Sequence, residues 1–188
     1  MKKILDIRHY GDPVLRQPAT PFPTPLPPDL PALARAMFAT MRAAEGCGLA
    51  AQQVGLTQAI CVVEIPASAD TETDDGPRLN PDSLLKLALV NPRILQASER
   101  TWSMSEGCLS FPGIRGSVTR PWSVLVEWLT PTGEPRCELL HGFLARAVQH
   151  ELDHLNGTLF CDRFSAVRKL SAAKKLKRLE TATLAALN

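Results

Sequence analysis

The run Gln149-His150-Glu151-Leu152-Asp153-His154-Leu155-Asn156-Gly157 contains the pattern H-E-x-x-H. On a helix, residues four apart share a face, so His150 and His154 can reach one divalent cation together. Glu151 sits just off that face, where it can take a proton from a water on the metal without entering the coordination shell. The alternative is a polar helix face that carries this spacing by accident. Val148, Leu152 and Leu155 weigh against it, because apolar neighbours mark a buried helix in which unpaired imidazoles would be costly. Asp153 is placed to orient a ligand from behind or to cap the helix.

A hydrolytic site with two histidines needs a third protein ligand and an open position for water. The metzincin continuation H-E-x-x-H-x-x-G-x-x-H is in register at Gly157 but has Phe160 at its last position. A thermolysin-like site needs a later glutamate, and only Glu180 follows, near the end of a basic helix. Cysteine remains. Cys47, Cys61, Cys108, Cys137 and Cys161 are odd in number and without compact spacing, which argues for free or metal-bound thiols over a disulfide framework. Gly107 gives the Cys108 backbone room, and Glu106 and Ser110 can hydrogen-bond around it. Cys161, in an apolar Leu159-Phe160 setting more typical of core, stays open as the weaker candidate.

The elements that must position these residues follow from pattern. A chain of 188 residues that is 45% hydrophobic can bury a core as one domain, 1–188, without staples. A net charge of +2 is too small to imply a nucleic-acid binder, so no sequence-specific nucleic-acid partner is expected. Met1-Lys2-Lys3 leads into no long apolar run, and no later segment has eighteen uncharged apolar residues, so a cytoplasmic location without a membrane partner is expected.

From Asp6 to Pro31 the prolines predict an extended arm over the domain. A helix should run from Asp29, as N-cap, to Ala44, with Leu33, Met37 and Met41 facing the core and Gly46 as its stop. The stretch Gly46-Cys47-Gly48-Leu49-Ala50-Ala51-Gln52-Gln53-Val54-Gly55 fits no regular element and describes a backbone that something approaches closely. It lacks the G-x-x-x-x-G-K-[ST] of a phosphate loop.

Gln58 to Ile65 reads as a strand, residues 67–83 as a solvated, mobile acidic loop, and Lys86 to Leu95 as a strand interrupted at Pro92. Ser117 to Leu129 alternates as a strand, and Thr130-Pro131-Thr132-Gly133 turns it into Glu134 to Leu140 as a hairpin. Gly142 begins the central helix. Residues 165–188 form a basic amphipathic helix with Val167, Leu170, Ala173, Leu176, Leu179, Thr183 and Leu187 as its apolar stripe. The class is α+β: antiparallel or mixed sheets around the metal-binding helix, with an N-terminal and a C-terminal amphipathic helix.

Three stretches, Gly46-Cys47-Gly48-Leu49-Ala50-Ala51-Gln52-Gln53, Glu106-Gly107-Cys108-Leu109-Ser110 and His150 to Gly157, resemble in the same order the signature motifs of the bacterial-type peptide deformylase family. Asp12-Pro13-Val14-Leu15-Arg16 and Phe111 to Arg120 extend the resemblance over most of the chain. It implies that Cys108, His150 and His154 hold one divalent metal, Fe2+ in the cell, with Zn2+, Ni2+ or Co2+ in preparations. A water on that metal would attack the formyl carbonyl of N-formylmethionyl nascent peptides, with Glu151 as general base and acid.

By the same resemblance, Gln53 and the Leu109 backbone N–H stabilise the oxyanion. Gly46 and Gly48 let backbone lie beside the substrate, and Gly46, Cys47, Arg115, Phe143 and Ala147 surround the methionine side chain. Arg146 would narrow or polarise that pocket if it pointed inward. The basic C-terminal helix resembles an extension that contacts the ribosome. Two other readings share the helix: an H-E-x-x-H metallo-endopeptidase, and a structural metal site in a ribosome-associated protein.

Overall fold

The computed structural model describes residues 4–73 and 76–187. Met1-Lys2-Lys3, the acidic pair Asp74 and Asp75, and Asn188 lie outside the described residues. Among the described residues three α-helices and seven strands follow one another as α1 (Leu30–Ala43), β1 (Gly48–Ala50), β2 (Ile60–Glu64), β3 (Lys86–Ala97), β4 (Thr101–Gly107), β5 (Arg115–Pro121), β6 (Ser123–Leu129), β7 (Pro135–His141), α2 (Gly142–Leu155) and α3 (Ala166–Leu187). The class is α+β, as the pattern implies, and the described strand pairs are all antiparallel.

Five strands form one sheet in the order β1-β2-β3-β6-β7, while β4 and β5 pair as a separate ribbon. The run Ile60-Cys61-Val62-Val63 is apolar throughout because β2 is buried on both faces. Cys61 and Val63 pack with Val124, Val126, Leu140, Leu144, Val148 and Leu152, so α2 covers that face. Ile60 and Val62 pack with Leu30, Met37 and Met41, so α1 covers the other. Helix α2 is thus a buried spine: it rests on β1 and β2 and reaches β5 of the ribbon. A third cluster of Leu15, Phe111, Phe160, Cys161 and Phe164 joins the arm, the turn after Cys108 and the end of α2.

Several expectations are corrected. Asp29 is the N-cap of α1 as expected but makes no side-chain cap bond, and the left-handed residue after the helix is Glu45 (φ 56°) in place of Gly46. The strand expected to break at Pro92 continues to Ala97. It shifts register there, with Asn91 at φ 50° and its amide bonded to both backbone groups of Phe22. Arg100 to Gly116 holds a strand, β4, that no alternation announced, and Ser117 to Leu129 is two strands separated at Trp122.

The stripe on α3 is also displaced. Val167 and Leu170 are 79% and 80% exposed and Leu187 is exposed, while the buried contact is made by Ala172 with Leu176 and Leu179 half-buried beside it.

The acidic loop is solvated over most of its described residues, as expected, but it is pinned at two of them. Asp70 and Asn80 are buried, and Asp70 accepts the Asn80 N–H (2.9 Å) and side-chain amide (2.5 Å). The Asn80 amide then brackets His141, donating to its carbonyl (3.2 Å) and accepting its N–H (3.0 Å). Arg100 pairs with Glu72 and stacks 4.1 Å from the Trp122 ring, fastening the loop to the ribbon as well. The loop therefore anchors the start of α2. Replacing Asn80 by Ala removes both bonds to His141 and the side-chain donor to one Asp70 oxygen, while the backbone N–H at position 80 and Arg78 still reach the other, so Asn80→Ala should lose about 2–3 kcal/mol of stability. Thermal denaturation followed by circular dichroism checks it; an unchanged midpoint would mean that the loop does not brace the helix.

Candidate active site

Glu106, near the end of β4, is the buried hub. Its two oxygens accept Arg120 Nε and Nη2 (2.7 and 2.9 Å), Arg146 Nη1 (2.5 Å) and His150 Nδ1 (2.9 Å). Burial alone would raise this carboxyl, but the bonds from Arg120 and His150 outweigh it and hold it far below the ordinary carboxylate range. An ionised Glu106 accepts only, so the Nδ1 of His150 carries the proton and its Nε2 is left to face a ligand.

One turn on, His154 presents Nε2 at 3.3 Å from the Sγ of Cys108. The ligand atoms of Cys108, His150 and His154 all lie within 4.8 Å of one another. One thiol and two imidazoles converging at that separation fit a borderline-soft divalent cation. The electrostatics agree. Burial would depress His150, yet hydrogen bonds to Cys108 and Glu106 push it up to about 10, while burial and the charge of His150 hold His154 well below its ordinary value. The site thus favours positive charge at the His150 Nε2, the position that a cation would take in place of a proton. Cys161, the weaker third-ligand candidate, is buried in the aromatic cluster with Phe160 and Phe164.

Glu151 is buried beside this group. Burial is the main cause that lifts its carboxyl to about 7, with His150 and Arg120 pulling the other way. Its Oε2 has no hydrogen-bond partner among the described residues. The Gln53 Oε1 accepts the Ala50 N–H at 2.7 Å, which turns its NH2 toward Cys108 Sγ (3.4 Å) and Ser110 Oγ (3.3 Å). Gln53 is thereby a donor aimed at the same space.

With the exception of His154, every candidate site residue lines one cleft of about 880 Å³: Glu151, Gln53, Leu109, Cys108, His150, Gly46, Cys47, Gly48, Arg115, Phe143 and Ala147. Two of its glycines also answer to the protein's own packing. A Cβ at Gly48 would stand 2.2 Å from Glu151 Oε1, and one at Gly46 would stand 2.7 Å from Leu109 Cδ1. Both glycines make room for the protein's own side chains. Burial, with the Glu151 charge behind it, pushes the Cys47 thiol up to about 11, so it lines the cleft as a neutral group.

The supporting guanidinium groups escaped the sequence reading. Arg120 bridges Glu106 to Asp153 (2.8 Å), and Asp153 also accepts Arg163 Nε (2.6 Å). A signal existed: Gly116, Val118 and Arg120 share the inward face of β5, and an arginine in a core register needs a buried partner. Arg146, whose direction was open, points inward and is 2% exposed.

Glu106→Gln removes the charge that both guanidinium groups and His150 share. It should weaken metal binding about 10–100-fold, read by competition with a chelator; affinity equal to the parent's would show that Glu106 does not prepare His150.

Residues 4–170 match the family model described as polypeptide deformylase. A peptide deformylase of Opitutus terrae is 40% identical over 185 residues, covering 97% of this chain and 96% of that protein. A plant peptide deformylase structure superposes with a TM-score of 0.82 at 38% identity, covering 95% of this chain and 90% of the other. A class I type b peptide deformylase from Acinetobacter baumannii, solved with Met-Ala-Ser bound, gives a TM-score of 0.76 at 37% identity, with 87% and 100% covered.

Proposed function

The chain belongs to the polypeptide deformylase family, and from that premise we propose that it removes the formyl group from the N-formylmethionine of nascent polypeptides, releasing formate. The observation that carries this reading is the convergence of one thiol and two imidazoles, within 4.8 Å of one another, beside a buried carboxylate with an unpartnered oxygen. We assign Cys108, His150 and His154 as the ligands of one divalent cation. Bound there, such a cation supplies Lewis acidity and brings a water toward neutral pKa.

The chain's own residues do the rest. Glu151 takes the proton from the attacking water at its unpartnered Oε2 and returns it to the departing amine nitrogen, and a carboxyl lifted to about 7 is matched to both steps near neutrality. The Gln53 side-chain N–H and the Leu109 backbone N–H donate to the oxygen that gains charge as the formyl carbon becomes tetrahedral. Strand β1 lies at the sheet edge, where the peptide can add as a further strand. Gly46, Cys47, Arg115, Phe143 and Ala147 then surround its first side chain.

We assign Fe2+ as the cellular metal, which a thiolate with two imidazoles accepts; oxidation of the iron or of Cys108 would then cost activity in air. An anaerobic preparation should contain one metal per chain, release formate from formyl-Met-Ala-Ser and leave a long unformylated peptide whole. Activity should decay in air. Glu151→Gln should keep its metal and lose about 10²–10⁴-fold in turnover. Internal cleavage of the unformylated peptide, or turnover in Glu151→Gln equal to the parent's, would overturn the reading in favour of an endopeptidase or a structural site.

We further infer a cytoplasmic enzyme that meets the ribosome through α3, whose Lys169, Lys174, Lys175, Lys177 and Arg178 are exposed. Among the described residues no helix is long and apolar enough to cross a membrane. Cosedimentation with ribosomes should weaken as salt rises and drop on removal of residues 167–188; undiminished binding of the shortened chain would end that inference.

A further inference from the structure

Arg146 is a buried cationic group in the cleft wall whose chemistry the deformylation steps leave unused. It lines the cleft with Cys47, Met104, Phe143 and Ala147. Its guanidinium is fixed. One terminal nitrogen donates to Glu106 Oε1 (2.5 Å) and the Val118 carbonyl (2.9 Å), the other to the Trp102 carbonyl (2.7 Å), and its carbon lies 4.5 Å from the centre of the Trp102 ring. The third nitrogen, Nε, is buried and has no hydrogen-bond partner among the described residues. A guanidinium has donors only, so this N–H gains from any acceptor brought to it and from nothing else.

We propose that Arg146 gives the side-chain pocket a buried hydrogen-bond donor, so that the enzyme also deformylates peptides whose N-formylmethionine has been oxidised to the sulfoxide. This rests on the deformylase reading and names a further substrate class for the same site. A thioether sulfur is a weak acceptor, whereas a sulfoxide oxygen is a strong one with no donor of its own. A wholly apolar wall would have to desolvate that oxygen without return, and the Arg146 N–H supplies the return. Glutamine, of similar length, brings an acceptor but also an NH2 that a donor-only guanidinium cannot receive, so Arg146 separates the two. The reaction is unchanged: water adds to the formyl carbon, the C–N bond breaks, formate and the free amine leave, and the sulfur keeps its oxidation state.

The experiment compares kcat/KM for formyl-Met-Ala-Ser, its methionine sulfoxide counterpart and formyl-Gln-Ala-Ser on the anaerobic, metal-loaded enzyme and on Arg146→Lys. Each value is normalised to formyl-Met-Ala-Ser, so a general loss of activity in the variant cancels. The parent should process the sulfoxide within about tenfold of the methionine peptide and at least about tenfold better than glutamine. In Arg146→Lys, which keeps a charge and lacks the fixed N–H, the sulfoxide penalty should widen about tenfold or more, mainly in KM.

An equal penalty in parent and variant overturns the proposal, as does glutamine equalling the sulfoxide in the parent, a comparison that stands even if the variant fails to fold. If formyl-Met-Ala-Ser itself is not hydrolysed, the deformylase reading fails separately. Calorimetric binding of Met-Ala-Ser and of its sulfoxide to the metal-loaded protein still decides the role of Arg146 by the same ratios.

Discussion

The structure turns on a carboxylate that cannot be buried alone. Glu106 is 7% exposed, and removing an ion from water carries a penalty of several kcal/mol unless every lone pair finds a donor. Here Arg120, Arg146 and His150 fill them from two other elements, β5 and α2. Each of these groups is itself costly to bury unpaired, so every bond in the set supports the others. That closes the β4–β5 ribbon onto α2. Arg120 carries the same constraint through Asp153 to Arg163, beyond the end of the helix. The orientation of His150 is a product of this closure: the ring is held by its Nδ1 because Glu106 has no other way to complete its shell.

Position and chemistry are thereby supplied by different parts of the fold. The five-stranded sheet, covered by α1 on one face and α2 on the other, fixes where α2 lies, and the acidic loop fixes where it starts through Asn80 and His141. The ribbon brings Cys108 to α2 from the other side. Neither half holds a site alone, since the histidines come with the sheet layer and the thiol with the ribbon. The buried ion pairs join the halves where apolar packing would permit sliding, because a hydrogen-bonded set admits one register.

How much of this was legible depended on the range of the interaction. The H-E-x-x-H helix and the hairpin turning at Thr130 to Gly133 are written in local periods and turn residues, and both stand where the sequence puts them. Glu106 and Ser110, named from their nearness to Cys108, do bond to His150 and Gln53. What local pattern could not carry was the choice of partner. β4 has exposed Ser103, Met104 and Ser105 and no clean alternation, so it is a strand only because β5 pairs with it. The segment 67–83 is polar by composition yet buries Asp70, because a residue ten positions away and a backbone sixty positions beyond that complete its bonds. On α3 the apolar residues are spread around the helix, and the side that packs is decided by the surface it meets at Tyr10 and Gly11.

The two glutamates near the ligands show why composition alone underdetermines chemistry. Glu106 and Glu151 are both buried and within one fold layer of each other, yet their proton affinities are driven apart. Glu106 is surrounded by donors and stays ionised; Glu151 keeps an oxygen without a donor, and burial lifts it to about 7. That difference rests on how far Glu151 is withdrawn from bulk solvent. Gly48 permits the withdrawal, since the carboxylate occupies the space a side chain there would fill. The glycine in the strand and the glutamate on the helix are therefore one device, in which the missing methyl group sets how deeply the carboxyl is buried and, through burial, the pH at which it can exchange a proton.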